Sequence, residues 1–355
     1  MKNAAVEEAK VQDFMKKVAA DTSGLAMTVM AALGDRLGLF KDLAANGSAV
    51  ASDFAKRTGI NEHYAKEWLA GMTSAGYLEY DPTSQLFTLP PEHRPVLSHE
   101  EGPFFIGGTH QMILGMLTIV ELLEGAFRSG KGIPMAAYGS NTWEGMERDM
   151  IGIYKAKLLQ EWIPAMPDVQ AMLERGAHVA DIGCGGGRTL IMLAKAFPKS
   201  RYVGIDIFKP LIERAKSNAE IAGVSDLIEY KVLDASLALP DRYNLITTFD
   251  VIHETNPLRM LRAIRKSLTP DGRYVCLDVK CEKALEDNIN PLAALRYGFS
   301  LLFCMSISLA NGGEAHGTMG LPEEKIKQLC LDAGFSSVRL VPLETSNHNL
   351  YEARA

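Results

Sequence analysis

A glycine-rich turn in the second half of the chain joins an apolar segment to a segment with helical spacing. The apolar segment is 178–182, residues 183–187 read Gly-Cys-Gly-Gly-Gly, and the helical segment covers 190–197. Glycine at such a turn permits backbone angles that other residues avoid, and it places no Cβ in the way of a ligand. Beside a helix N-terminus, the turn can also hold a negative group. The pattern predicts a strand–turn–helix ligand site.

The dinucleotide fingerprint GxGxxG does not fit this turn. Counted from Gly183, it requires glycine or alanine at a position occupied by Arg188; counted from Gly185, it requires one at Leu190. The sequence therefore disfavours a NAD-dependent dehydrogenase. What remains is an acidic residue, Asp181, two positions before a GxGxG run.

Acidic residues also stand at the ends of the next predicted strands. Asp206 lies about twenty residues after the glycines, Asp234 follows the third strand and Asp250 the fourth. In α/β folds the carboxyl ends of the strands form the ligand-binding edge, and an acidic residue at the second strand can accept hydrogen bonds from both ribose hydroxyls. A carboxylate at such an apolar edge requires a partner. The spacing favours a nucleoside ligand.

The acidic residue and GxGxG run resemble motif I of the class I S-adenosylmethionine-dependent methyltransferases. The stretches 67–72, 89–93 and 249–253 extend the resemblance to a bacterial family with an N-terminal winged-helix domain, a helical middle and a Rossmann-like end. The arrangement is also similar to small-molecule O-methyltransferases, whose N-terminal domain dimerises and helps to close the active site. The resemblance implies S-adenosylmethionine as the cofactor and methyl transfer as the reaction, but it implies no particular acceptor.

The resemblance also implies which residues meet the cofactor. We expect Gly183, Gly185 and Gly187 along its methionine part, Asp206 at the ribose, Ile207 on the adenine ring, and Asp234 and Ala235 at the edge of that ring. Asp181 is expected either at the amino-acid end of the cofactor or bracing the loop, and Phe249, at the end of the fourth strand, is a further cofactor-binding candidate.

His253 and Glu254 are the catalytic candidates, because they follow the fourth strand where this fold turns towards the methyl donor. A sulfonium methyl group is electrophilic, so the protein mainly has to place the acceptor in line. A base is needed only for a weak nucleophile such as an alcohol or phenol. Histidine suits that role, and we expect His253 to orient or deprotonate the acceptor. The competing interpretation is that His253 caps the next helix or packs in the core.

Aromatic residues in the helical segments are candidates for the wall of an acceptor pocket, since small-molecule sites are mostly apolar. The same spacing is expected of ordinary core residues. On this basis the acceptor is a small apolar or aromatic molecule, held between the helical region and the carboxyl edge of the sheet. The expected pocket residues are Tyr138, Trp143, Tyr154, Phe299 and Phe303.

The elements that position these residues are predicted to form an α/β fold, with a seven-stranded Rossmann-like sheet over 171–355. Strand and helix patterns alternate there, as in a parallel sheet covered by helices. An apolar helical insertion occupies 285–320. The predicted parallel strands are 178–182, 202–207, 228–233, 243–249 and 273–279, followed by an antiparallel edge hairpin of 338–343 and 350–353.

Residues 1–100 are predicted to form an α-rich winged-helix domain, and residues 101–170 are predicted to form a helical connector or substrate lid. Helical spacing over 25–43 is followed by a helix capped by Ser48 or Ser52, and then by a helix over 63–75 capped by Asn61. A hairpin of 77–80 and 86–89 supplies the wing.

A winged helix also suggests a DNA-binding transcriptional regulator that senses S-adenosylmethionine. Residues 1–100 contain 10 Lys and Arg against 13 Asp and Glu, and the would-be recognition helix carries Glu62 and Glu67 against Lys66. Reading a major groove normally requires basic and amide side chains there. We therefore interpret this domain as a dimerisation and lid element, and we expect a homodimer because the domain is too small to bury its apolar faces alone.

A macromolecular acceptor is the other alternative. The net charge of −6 disfavours RNA, because phosphate neutralisation supplies much of nucleic-acid affinity. The (N/D)PPY run expected for methylation of planar amino groups is missing after the fourth strand. A protein methyltransferase stays open.

The overall length and composition predict a cytoplasmic protein of two domains, or of one domain with a large accessory part, with neither a metal site nor a disulfide framework. The chain has 355 residues, and its five cysteines are scattered without a CxxC pair. We expect them to be reduced and mostly buried. Apolar runs such as 301–309 fall short of the roughly 20 residues that span a bilayer, and the N-terminus lacks the apolar stretch of a signal peptide.

Overall fold

The structure is a computed structural model and describes residues 6–344 and 347–355. The described residues group into two compact units. The first contains the chain up to Leu114 together with Glu144–Gly152, and the second contains Gly115–Trp143 and Ile153–Ala355. The stretch 101–170 contributes to both units, and the domain boundaries drawn from the sequence stay predictions.

Helices and strands cover most of the described residues. The helices are α1 (Glu8–Arg36), α2 (Leu39–Asn46), α3 (Ala51–Thr58), α4 (Glu62–Ser74), α5 (Arg94–Leu97), α6 (Gly107–Leu117), α7 (Val120–Ser129), α8 (Ser140–Lys157), α9 (Pro167–Arg175), α10 (Arg188–Ala196), α11 (Lys209–Ala222), α12 (Pro257–Lys266), α13 (Pro291–Phe299), α14 (Met305–Ala310) and α15 (Glu323–Asp332). The strands are β1 (Glu79–Asp81), β2 (Leu86–Thr88), β3 (His178–Ile182), β4 (Arg201–Asp206), β5 (Ile228–Val232), β6 (Tyr243–Phe249), β7 (Leu268–Val279), β8 (Ser337–Val341) and β9 (His348–Arg354).

The first unit has the helix–turn–helix and wing that the sequence predicts. The side chain of Asn61 accepts a hydrogen bond from the His63 amide at 2.9 Å and so caps α4. Strands β1 and β2 pair antiparallel as the wing. Trp68 anchors α4, because its indole N–H donates to the Met30 carbonyl oxygen at 2.9 Å and its ring stacks on Phe54.

Two details of the first unit differ from the prediction. Helix α1 begins well before residue 25 and ends at Arg36, and Gly38, with φ of +70°, separates it from α2. The cap predicted for α3 is wrong: Val50 holds the N-cap position, and Ser52 lies inside the helix. The hydroxyl of Ser48 lies 2.6 Å from that of Thr88 in the wing instead.

The second unit contains a seven-stranded sheet in the order β5-β4-β3-β6-β7-β9-β8. The β3–β4, β4–β5, β3–β6 and β6–β7 pairs are parallel, and β9 pairs antiparallel with both β7 and β8. The Rossmann-like sheet and its late antiparallel hairpin are therefore confirmed. Strands β4 and β5 lie on one side of β3, and β6 and the later strands lie on its other side. This change of side is the topological switch point at which such folds bind ligands.

A continuous helix lies between β7 and β8 at Pro291–Ala310, formed by α13, a π-helical turn at Ser300–Cys304 and α14. The most apolar 18-residue stretch of this 20-residue helix has a mean hydropathy of 1.6, which by length and composition would suit a membrane span. The prediction that apolar runs are too short was therefore wrong, because the helix is longer than its most apolar part. Of that stretch, 39% is buried, including Ala293, Phe303 and Ile307.

Candidate active site

The glycine turn lies at the switch point, between β3 and α10. Gly183, Gly185 and Gly187 have φ of +67°, +51° and +73°, the left-handed region that other residues rarely adopt. The amides of Gly183 and Cys184 both donate to the carbonyl oxygen of Ile205, at 2.7 and 3.1 Å, and so hold the turn against the end of β4. The need for glycine predicted from the sequence has this conformational basis.

Asp206 ends β4 directly beside the turn. Its Oδ2 accepts a hydrogen bond from the Gly185 amide at 3.1 Å, and its Oδ1 accepts one from the Phe208 amide at 2.8 Å. Burial raises the pKa of Asp206, although these two amides act in the opposite direction. The carboxylate thus connects the glycine turn to the loop after β4.

Asp181 braces the same turn from within the core. Its two carboxyl oxygens accept hydrogen bonds from the hydroxyls of Thr189 in α10, at 2.8 Å, and Thr247 in β6, at 2.7 Å. The side chain is buried, and burial raises its pKa to about 7 despite both hydrogen bonds. Asp181 therefore links β3, α10 and β6, and its contact with a cofactor stays a prediction.

The remaining cofactor candidates lie at the ends of β4, β5 and β6. Ile207 is half exposed, whereas Ala235 is buried. One carboxyl oxygen of Asp234 accepts hydrogen bonds from both the amide and the hydroxyl of Ser236, which fixes the turn after β5. The ring of Phe249 is part of the core, with Trp162 stacked 6.2 Å away, centroid to centroid.

His253 is buried in a short 3-10 turn, Ile252–Glu254, that follows β6. Its Nδ1 lies 2.7 Å from Oδ1 of Asp278, a buried residue near the end of the adjacent strand β7. Burial alone would lower the pKa of His253, but the Asp278 carboxylate outweighs that effect and places it well above its ordinary value. An Nδ1–H that donates to Asp278 leaves Nε2 as the position for a second partner.

Glu254 and Cys304 stand on the Nε2 side of His253. The distance from His253 Nε2 to Glu254 Oε1 is 3.8 Å, and a donor atom of each of the three residues lies within 4.8 Å of the other two. Burial raises the pKa of Glu254 to about 7. The structure thus brings both catalytic candidates together and adds Asp278 and Cys304.

Asp250 adds a strained position between β6 and His253. Its φ is +56°, which a residue other than glycine adopts at a cost and which is frequent at functional sites. Its Oδ2 lies 3.2 Å from Nε2 of His348 in β9. Burial acts to lower the pKa of His348, but Asp250 raises it above its ordinary value.

Three residues of this region, Asp278, His348 and Cys304, were not predicted from the sequence as functional. A weak signal existed for Asp278, since an acidic residue interrupts the apolar end of the fifth predicted strand. No local pattern marks Cys304 or His348. The position of Cys304 beside His253 depends on the path of the insertion, and the contact of His348 with Asp250 depends on where the last strand joins the sheet.

Four of the five aromatic candidates make ring contacts, at three places in the second unit. Tyr138 and Phe303 are both buried and meet edge to face at 5.1 Å between ring centroids. Trp143 contacts Phe208, next to Asp206, at the same centroid distance. Tyr154 packs on Phe249. Phe299 is half buried in α13. Their contact with an acceptor stays a prediction.

Comparison with known families matches two parts of the chain. Residues 25–99 match the Rv2258c-like winged HTH domain, and residues 180–274 match a methyltransferase domain. The chain thus carries an N-terminal winged helix-turn-helix domain followed by a methyltransferase domain, as the resemblance in the sequence implied.

Curated relatives match over less than a third of this chain. A ubiquinone biosynthesis O-methyltransferase of Coxiella burnetii is 31% identical over 109 residues, which are 29% of this chain and 44% of that protein. One from Neisseria meningitidis is 34% identical over 105 residues, or 28% of this chain and 42% of that protein. The matches span less than half the length of these relatives.

Solved structures match over nearly the whole chain. A putative O-methyltransferase from Nostoc punctiforme has a TM-score of 0.72 at 18% identity and covers 99% of this chain and 100% of its own. The mitomycin 7-O-methyltransferase MmcR has a TM-score of 0.71 at 18% identity, covering 98% and 99%. Human N-acetylserotonin methyltransferase, in complex with SAM, has a TM-score of 0.66 at 16% identity, covering 100% and 99%. At these identities the likeness establishes the fold.

Proposed function

We propose that this chain transfers the methyl group of S-adenosylmethionine to a small apolar or aromatic molecule. The geometry at Gly185 carries the proposal. A Cβ built on this residue would meet no atom of the described residues within 4 Å, and its φ is left-handed. Glycine here keeps a space open against the backbone, next to the carboxylate of Asp206, which is the form a nucleoside cradle requires.

The residues around this space fit S-adenosylmethionine. Asp206 is a buried carboxylate suited to ribose hydroxyls, and half-exposed Ile207 follows it at the same edge of the sheet. Asp234 and Ala235 would meet the edge of the adenine ring, and the glycine turn would hold the methionine part. When bound, the cofactor supplies an electrophilic methyl group.

In this proposal His253 holds the acceptor and, in its neutral form, takes the proton of the acceptor at Nε2. Because Asp278 raises the pKa of His253, this neutral form is favoured at alkaline pH. Asp278 fixes the tautomer, because it accepts the hydrogen bond from Nδ1–H, and its charge stabilises the imidazolium that forms. Such a positioned base contributes about 10²–10⁴-fold to a rate. A base is useful for a hydroxyl acceptor, and several of the similar proteins are named O-methyltransferases. We therefore propose a hydroxyl group as the methylated group.

The surface of α4 does not favour the alternative of a DNA-binding regulator. Glu62 and Glu67 are exposed there beside Lys66, whereas Trp68 and Leu69 are buried. A helix that presents two carboxylates and one ammonium group lacks the basic and amide side chains of groove readers.

We further propose that the protein is a cytoplasmic homodimer that associates through its N-terminal helix. Residues 8–26 of α1 are exposed on all sides. Val11, Phe14, Met15 and Val18 follow helical spacing on one face and are 41–66% exposed. An apolar helical face of this kind fits the same face of a second copy in a two-fold contact.

The test is transfer of label from S-adenosyl-[methyl-³H]methionine to a panel of hydroxylated aromatic molecules. The proposal expects labelled product from the wild-type chain and a strong loss with His253→Ala. Label that enters only added protein or nucleic acid would contradict a small-molecule acceptor.

A further inference from the structure

His253, Glu254 and Cys304 place three different metal-ligand atoms together: an imidazole nitrogen, a carboxylate oxygen and a thiol sulfur. Each lies within 4.8 Å of the other two, and His253 Nε2 is 3.8 Å from Glu254 Oε1. The first two residues share the turn after β6, and Cys304 ends the π-helical turn at Ser300–Cys304. Such π-helical turns are frequent at functional sites. We propose that these three side chains bind one Zn²⁺ ion.

The spacing of the donor atoms suits zinc. Zn²⁺ binds His nitrogen and carboxylate oxygen at about 2.0–2.2 Å and thiolate sulfur at about 2.3 Å in tetrahedral geometry. Those bond lengths place neighbouring ligand atoms about 3.3–3.7 Å apart. Small side-chain movements would bring the present arrangement to that spacing. A set of nitrogen, oxygen and sulfur ligands favours zinc over magnesium or calcium, which take oxygen ligands.

The contacts behind the ligands also match a zinc site. Asp278 accepts the hydrogen bond from His253 Nδ1 at 2.7 Å and so directs Nε2 towards Glu254. This is the carboxylate–histidine–zinc arrangement that orients histidine ligands in metalloproteins. The hydroxyl of Thr318 lies 3.3 Å from the Cys304 sulfur and donates to it.

The three residues are largely buried, and of the three only Glu254 is partly exposed. His253 and Cys304 are buried, and the Glu254 side chain is 21% exposed. Three protein ligands leave a fourth tetrahedral position for water or an exchangeable ligand, as in zinc sites that are not purely structural.

Zinc at this position would exclude the role of His253 as a base. Nε2 cannot both coordinate the ion and accept a proton, so zinc-loaded protein should lose methyl transfer. This consequence rests on the proposed function, whereas the binding of the ion does not.

The experiment is titration of the chelator-treated, full-length protein with Co²⁺, a spectroscopic substitute for zinc, without S-adenosylmethionine. We expect one equivalent to produce a thiolate-to-cobalt charge-transfer band and tetrahedral d–d bands, and one equivalent of Zn²⁺ to displace them. Cys304→Ser should abolish the charge-transfer band and weaken zinc binding by more than about 100-fold, and Asp278→Asn should weaken it by about 10–100-fold. Cys281→Ser, at another buried cysteine, is the matched control and should behave as wild type.

A wild-type protein with no charge-transfer band at one equivalent would overturn the proposal, as would a band that survives in Cys304→Ser. Circular dichroism checks the fold of each variant. Glu254→Gln replaces Cys304→Ser if the latter does not fold, and should likewise weaken zinc binding while the band changes position. Absence of S-adenosylhomocysteine binding would reject the proposed function. It would not change the conclusion drawn from the cobalt titration about the metal site.

Discussion

The carboxylate of Asp206 accepts a hydrogen bond from the amide of Gly185, 21 residues earlier in the chain. This contact joins the ends of two parallel strands, β3 and β4, at the switch point of the sheet. It places a buried negative group beside a backbone segment that has open space in front of it. The proposed cofactor site depends on this pair.

Asp206→Ala should weaken the binding of S-adenosylhomocysteine by about 10–150-fold, because a hydrogen bond to a charged group contributes about 1.5–3 kcal/mol. Isothermal titration calorimetry measures the change. Asp226→Ala removes an exposed aspartate of the same unit and should leave the affinity unchanged. Equal affinities for the wild type and Asp206→Ala would remove Asp206 from the site.

Gly185→Ala should lower cofactor affinity through its added Cβ and lower stability through its backbone. The matched control is Gly223→Ala, since Gly223 also has a left-handed φ, +71°, and open space around its Cβ position among the described residues. Both variants should lose about 1–2 kcal/mol of unfolding free energy. Loss of S-adenosylhomocysteine binding only at position 185 is the expected result, and equal binding by both variants would contradict it.

Asp181 should make the stability of the protein depend on pH. Its pKa rises from the ordinary 3.8 to about 7 on folding, so the folded chain retains a proton that the unfolded chain releases. The stabilisation is complete below about pH 4 and is lost as the pH rises towards 7, by up to about 4 kcal/mol. Asp181→Asn should therefore be more stable than wild type at pH 8, and this advantage should shrink at pH 5.

Urea unfolding at the two pH values tests this prediction. Asp271→Asn, at an exposed position, should show no such pH-dependent difference from wild type. The interpretation fails if Asp181→Asn is less stable than wild type at pH 8.

His253→Ala and Asp278→Asn should lower kcat by about 10²–10⁴-fold in the presence of a chelator. Affinity for S-adenosylhomocysteine should change little, because neither residue belongs to the proposed cradle. His63→Ala, at an exposed histidine of α4, should retain wild-type turnover. Unchanged turnover in His253→Ala would show that this histidine has a packing role.

Phe14→Glu should convert the proposed homodimer to a monomer, since it places a charge in the apolar face of α1. Ala20→Glu adds the same charge on the opposite side of that exposed helix and should leave the dimer intact. Light scattering during gel filtration gives the mass of each. A monomeric wild type at micromolar concentration would contradict the dimer.

The local parts of the fold and site could be predicted, and the non-local parts could not. The glycine turn and the strand that ends at Asp206 follow from short sequence patterns, and so does the Asn61 cap. The cap at Ser48 failed because the wing competes for its hydroxyl through Thr88. The partnership of His253 with Asp278 depends on the register of two strands, and its proximity to Cys304 depends on the path of the insertion, neither of which a local pattern encodes.

Calorimetric titration of the wild-type chain with S-adenosylhomocysteine tests the cradle itself. We expect saturable binding with one site per chain, together with a rise in melting temperature when the ligand is in excess. Absence of both signals in a folded protein would contradict the proposal that the turn after β3 and the carboxylate of Asp206 form a site for this nucleoside.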